Sequence, residues 1–262
     1  MPVTHIFKAL PSRSHIRVMI LEPSGDPAST LRFLFHEDLL SNLEGRYEAI
    51  SYTWGTPDLE FPIHLVDEQE TAVLWLWADT VCINQNDHSE KEGQIRMMVD
   101  IFRGAKRVLA WLGPGGHSED EAFQFLERVS RDPKRGLDGF SPFSELAKTL
   151  RKLLALPYFT RLWILQELVF NLDVILRCGS IEFPFLRFCV AIEVLKDNLG
   201  GGGLSMIGLP PHALRVRLRS LKKISQLWKR HTMIIREGVD PQYLQDTILG
   251  LLVQFSDCTS LL

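Results

Sequence analysis

The sequence predicts an α/β fold: a partly parallel central sheet flanked by helices, with an N-terminal β extension and a helical C-terminal tail. Three observations lead there. The first quarter is punctuated by short β-branched and aromatic runs. From Asp87 the apolar period changes to the helical one. Strand-like and helix-like segments then alternate as far as residue 199, as a layered α/β core requires. The 262 residues, 45% hydrophobic and 23% charged, suit a folded chain of one large or two small domains.

In order along the chain, Ile16–Leu21 and Leu31–Phe35 read as strands separated by the turn formers of PSGDPAS. Tyr47–Trp54 is a third strand, and Phe61–Val66 a short apolar fourth. Leu74–Ala78 (LWLWA) is apolar on both faces, as a covered central strand should be. Overlapping capping boxes at Asp87/Glu90 and Ser89/Glu92 open a helix whose buried stripe is Ile95, Met98, Val99 and Phe102. That helix ends at Gly104, and Arg107–Leu112 returns to a buried strand. Gly113-Pro-Gly-Gly is a turn rather than a phosphate cradle, because Glu119, Asp120 and Glu121 fill the first turn of the helix that Ser118 opens. After a loop over residues 131–142, Leu146, Leu150, Leu153 and Leu154 mark another helix. Pro157 starts a helix over Tyr158–Phe170, and Asp173–Cys178 is a strand closed by Gly179. Pro184 starts a helix with Phe188, Ile192 and Leu195 on one side. Gly200–Gly203 break the chain, which places an α/β domain over residues 1–199 and a linker with a helical tail over 200–262.

Twenty-nine Lys and Arg against 32 Asp and Glu leave a net charge of −3, which argues against a nucleic-acid coat. A basic amphipathic stretch at His212–Arg236 faces an acidic one over residues 58–100, so docking or solvation accounts for it better than a membrane or a nucleic acid. The four cysteines form no C-x-x-C pair, and no His or Cys spacing supports a metal. The longest uncharged apolar run, Val73–Ala78, falls far short of the roughly 20 residues of a membrane helix. The expectation is a cytoplasmic protein without stable membrane insertion.

The densest polar cluster is Asp79, Asn84, Gln85, Glu90 and Gln94, with Cys82, Asp87 and His88 among them. It follows a strand's carboxyl end, where α/β proteins place ligands. Its other reading is local: Asp87 and Glu90 cap the helix while Asn84 and Gln85 form the turn. Cys82, after an apolar strand, reads as a small hydrophobe rather than a nucleophile. Glu167 is the candidate catalytic residue, set against Trp163, Ile164 and Phe170 on a helix. A carboxylate on so apolar a face needs a function or a partner, and Arg161 or Arg177 is the structural alternative.

Four ordered blocks resemble the fungal heterokaryon-incompatibility domain. They are YEAISYTWG (residues 47–55), LWADTVCINQ (76–85) continuing through Asp87, Glu90, Gln94, Met98 and Ile101, the Ala105–Gly113 segment, and YFTRLWILQE (158–167), with Cys178-Gly179 after them. This resemblance implies non-self recognition between fungal cells and programmed cell-death signalling through protein partners or self-association. It also implies a remote relation to Toll/interleukin-1-receptor (TIR) domains, hence a TIR-like or flavodoxin-like core. Trp163-x-x-x-Glu167 resembles the WCxxE of that superfamily, whose glutamate serves in NAD-cleaving members. The resemblance therefore offers NAD as a substrate and no certain cofactor. Two departures stand out. Only Asp67–Val73 separates Val66 from Leu74, too short for the parallel crossover of about a dozen residues, so a hairpin or a lost segment is expected. The family's downstream DPRD motif is absent, which points to a truncated or degenerate copy without activity as a further alternative.

Overall fold

The computed structural model describes residues 7–24, 26, 29–53, 64–65, 74–141, 143–161 and 164–206. Trp54, Trp163 and the tail from residue 207 on, with the basic stretch His212–Arg236, lie outside the described residues. The chain divides into two compact units, Met1–Leu109 and Ala110–Leu262.

The first unit is built on strands β1 (His15–Leu21), β2 (Arg32–Leu39), β3 (Glu48–Tyr52), β4 (His64–Leu65) and β5 (Leu74–Trp77). Their order is β4-β2-β1-β5-β3. β1 runs antiparallel to both β2 and β5, whereas β3 is parallel to β5 and β4 parallel to β2. This is the expected α/β class with a mixed, partly parallel sheet. The expected hairpin between the fourth and fifth strands does not form. β4 pairs with β2, and β5 takes the far side of β1, where β1 and β3 hydrogen-bond its two backbone edges. β1 is buried along its whole interior, with Ile16, Val18 and Ile20 on one face and Arg17 and Met19 on the other.

Helices α1 (Leu40–Leu43), α2 (Asp79–Cys82) and α3 (His88–Gly104) complete this unit. α3 starts as expected: Asp87 accepts hydrogen bonds from the Ser89 and Glu90 amides and caps it. Its buried face differs from the expected one. Ile95 is 41% exposed, and Gln94, Met98, Ile101 and Phe102 are the residues turned inward. The stripe is rotated because the Gln94 amide has a fixed partner, the His15 carbonyl, at 2.9 Å. Trp77 and Phe102 meet edge to face at 5.6 Å, and the Tyr47 hydroxyl donates to the Ile101 carbonyl, which fastens α3 to the sheet.

β6 (Arg107–Gly113) crosses the division into the second unit. There follow α4 (His117–Arg131), α5 (Pro133–Gly136), α6 (Glu145–Ala155), a 3₁₀ turn (Pro157–Thr160), α7 (Ile164–Val169), β7 (Val174–Cys178), β8 (Ile181–Pro184) and α8 (Phe185–Met206). Five expectations are corrected. α4 begins after Gly116 with no side-chain cap, not at a Ser118 box. The loop at 131–142 contains α5, with Pro133 in its first turn and Asp132 as its cap. The single helix over Tyr158–Phe170 is a 3₁₀ turn and a separate α7, parted by extended backbone at Arg161. Tyr158 and Phe159 are weak helix formers, and both are fully buried, so packing decides their conformation. Pro184 ends an edge strand, β8, opposite Ile175 of β7, and the helix begins at Phe185. α8 continues through Gly200–Gly203 to Met206, since glycine weakens a helix by about 1 kcal/mol per residue without forbidding it.

The core of this unit is aromatic. Phe159 stacks on Phe188 with planes 6° apart, and Phe123 packs on Phe183. The β7–β8 hairpin turns at Gly179, whose φ of +58° only glycine adopts readily. Its amide donates to the Gly113 carbonyl at 2.8 Å.

Candidate functional site

The polar cluster after β5 lies wholly in the first unit, and the fold divides it into two linked groups. Asp79, the first residue of α2, accepts a hydrogen bond at Oδ1 from the Tyr52 hydroxyl at 2.8 Å. That hydroxyl also contacts the Thr80 hydroxyl. Burial first, and then the Asp79 charge, pushes the Tyr52 phenol pKa up. The Asp79 carbonyl receives the Gln85 side-chain amide at 2.8 Å, which closes the turn. Asn84 accepts from the Asn86 amide through its side chain, while its own amide donates to Glu90 Oε1 at 2.8 Å. The local reading of Asn84 and Gln85 as turn formers is what this geometry displays.

The second group is organised by a residue the motif analysis passes over. Arg17, only 1% exposed, sits on β1 directly opposite Glu37 of β2. Its guanidinium donates to Glu37 Oε1 at 2.8 Å, Glu90 Oε1 at 3.0 Å, the Cys82 carbonyl at 2.9 Å and the Lys8 carbonyl at 2.8 Å. Phe7 and Phe35 flank it, at 4.9 and 5.7 Å from guanidinium carbon to ring centre. Burial works against this charge, but hydrogen bonds and attraction from Glu90 and then Glu37 outweigh it, and the net pKa shift is upward. Glu90 is therefore a buried counter-ion, held 73 residues from its partner in sequence. Gln94, one turn further along α3, is buried beside it.

Cys82 is sealed at 1% exposure, and burial pushes its thiol up to about 12, against the opposing pull of the Ala78 amide and of Arg17. A thiol so hard to ionise is no nucleophile. Among the described residues no group of three or more His, Cys, Asp or Glu is placed to hold a metal.

Glu167 belongs to the second unit, on α7, and is 3% exposed. Both its oxygens receive the Arg161 guanidinium, at 3.1 and 3.3 Å. The structural partner is thus Arg161, while Arg177 pairs with Glu182 at 2.8 Å. The break between the 3₁₀ turn and α7 is what lets Arg161 reach back to α7. Trp163 lies outside the described residues. Glu167 and the cluster after β5 are elements of separate units, and each has hydrogen-bond partners within its own.

Residues 47–167 match the sequence profile of the heterokaryon incompatibility protein (HET) family. The chain is also 26% identical over 227 residues to "Heterokaryon incompatibility protein 6, OR allele" of Neurospora crassa, with 63% of this chain covered. The chain spans about a third (33%) of the length of that relative. No solved structure matches it. The matched segment contains every residue of the cluster after β5 and ends on Glu167, whereas Arg17 and Glu37 lie ahead of it. The signal that points to Arg17 is a lone charge inside the apolar run IRVMIL, which is costly unless paired. No helix among the described residues is long and apolar enough to cross a membrane.

Proposed function

We propose that this HET domain acts in the cytoplasm in fungal non-self recognition, signalling programmed cell death through association with protein partners or further copies of itself. The observation that carries this reading is the HET match over residues 47–167, supported by the likeness to a Neurospora crassa incompatibility protein. The geometry is in keeping with it. Asp79, Asn84 and Gln85 serve the turn, Glu90 holds Arg17 and Glu167 holds Arg161, so the polar residues of the motifs build the domain that partners would meet.

Inducible expression of the full chain in a filamentous fungus tests the reading. Growth arrest with uptake of a vital dye is expected in an incompatible background. An inert protein that unfolds cooperatively when purified would overturn it. Incubation of the purified chain with NAD adds a second arm: release of nicotinamide, abolished in Glu167→Ala, would replace association by catalysis.

A further inference from the structure

The residues that close the Arg17 network leave one part of it open. A half-open cavity of about 190 Å³ lies between the segment that enters β1 and the first two turns of α3. Ser12 and Arg13 line one side, and Asp87, Glu90, Gly93 and Gln94 the other. Two of these side chains are deeply buried and half satisfied. Glu90 spends Oε1 on Arg17 and the Asn84 amide, and Gln94 spends Nε2 on the His15 carbonyl. Glu90 Oε2 and Gln94 Oε1 have no hydrogen-bond partner among the described residues. Both are acceptors, so what they lack is a donor. They lie four residues apart, on one face of α3.

Charge favours a cationic donor. Arg17 is shared by Glu37 and Glu90, which leaves the network formally one negative charge in surplus, and Asp87 stands beside it. Arg13 is exposed, so water screens its opposing charge. Gly93 is the second observation. It sits inside α3, where glycine is a poorer helix former than alanine, yet a Cβ built there meets nothing within 4 Å. Packing does not demand glycine at this position, and its effect is to keep the cavity wall clear. The volume exceeds the 150 Å³ or so of a cavity known to admit benzene, so it has room for a small organic group.

We propose that this pocket binds a small organic cation, an alkylguanidinium or alkylammonium head group, through Glu90 Oε2 and Gln94 Oε1. The cation supplies only donors, which is what the two orphaned oxygens need, and its charge balances the surplus. The head group can come from a free small molecule or from an Arg or Lys side chain of a partner. The pocket stands whether or not the chain signals by association.

The test is titration of the full, isotope-labelled chain with ethylguanidinium, butylammonium and N-acetylarginine amide, followed through the side-chain amide resonance of Gln94. Ethylurea and propionate serve as neutral and anionic counterparts. Saturable binding of the cations is expected at millimolar concentration, at least about tenfold tighter than ethylurea. Tighter binding of the arginine amide than of ethylguanidinium assigns the site to a partner side chain, and the reverse assigns it to a free cation. Gly93→Leu fills the cavity wall and is expected to abolish binding, while Gly93→Ala raises the melting temperature and shows that the helix tolerates a side chain there. Absence of saturable binding by folded protein, equal binding of ethylurea, or undiminished binding in Gly93→Leu would each overturn the proposal.

Discussion

Replacing Arg17 by Met removes the guanidinium while keeping an apolar stem of similar reach between Phe7 and Phe35. The loss falls on Glu90, whose side chain is 5% exposed and which is left as a buried charge without its cation. Breaking a buried ion pair from one side costs about 3–5 kcal/mol. The Cys82 and Lys8 carbonyls lose their donor as well, at about 1 kcal/mol or more each where water cannot replace it. The expected destabilisation is therefore at least about 4 kcal/mol, a large part of the 5–15 kcal/mol that holds a typical domain together. Urea unfolding followed by tryptophan fluorescence and far-UV circular dichroism measures it. The double variant Arg17→Met/Glu90→Met removes both charges and is expected to be more stable than Arg17→Met alone, although the Asn84 amide then lacks its acceptor. A loss below about 1 kcal/mol in Arg17→Met, or simple additivity in the double variant, would show that the guanidinium does not organise this unit.

Asp87→Ala removes the side-chain cap of α3 and should cost about 1 kcal/mol by the same unfolding assay. Gly179→Ala places a Cβ 2.3 Å from the Pro114 carbonyl oxygen at a φ of +58°, so the hairpin must shift; a melting temperature unchanged from the parent would contradict that geometry. Stability should fall as pH rises above about 9. There the unfolded chain ionises Cys82 while the folded chain holds it protonated to about 12, a slope of about one proton that Cys82→Ala should remove. The buried phenols of Tyr47 and Tyr52, both pushed upward, steepen the decline at higher pH. By the same burial, Cys82 should resist a thiol reagent until the protein unfolds, which a timed labelling experiment reads directly.

What the sequence discloses here is mostly what is local. β1, β3, β5 and β6 follow from dense β-branched and aromatic runs, and α3 from an Asp cap placed ahead of a helical period. The pairing of β4 with β2 is not local, and a two-residue strand carries no pattern that selects its neighbour. The aromatic stretch after Pro157 has a helical period, but packing of Tyr158 and Phe159 outweighs it. The candidate site follows the same division. Asn84 and Gln85 as turn formers, Asp87 as a cap, and Arg161 as one of two partners for Glu167 are all legible at short range. The partner of Glu90 is not: it comes from a strand at the opposite end of the unit's sequence, and only the tertiary fold joins the two.

The Arg17 contacts also bear on what counts as one body in this chain. β1 and β2, with the guanidinium and its aromatic flanks, all precede residue 47, where the stretch that matches the family profile begins. A fragment excised at that boundary would strip one long edge from β5 and leave a carboxylate stranded in the interior. The profile-matched stretch is therefore smaller than the sheet it belongs to, and any transplant of it into another protein has to carry β1 and β2 with it.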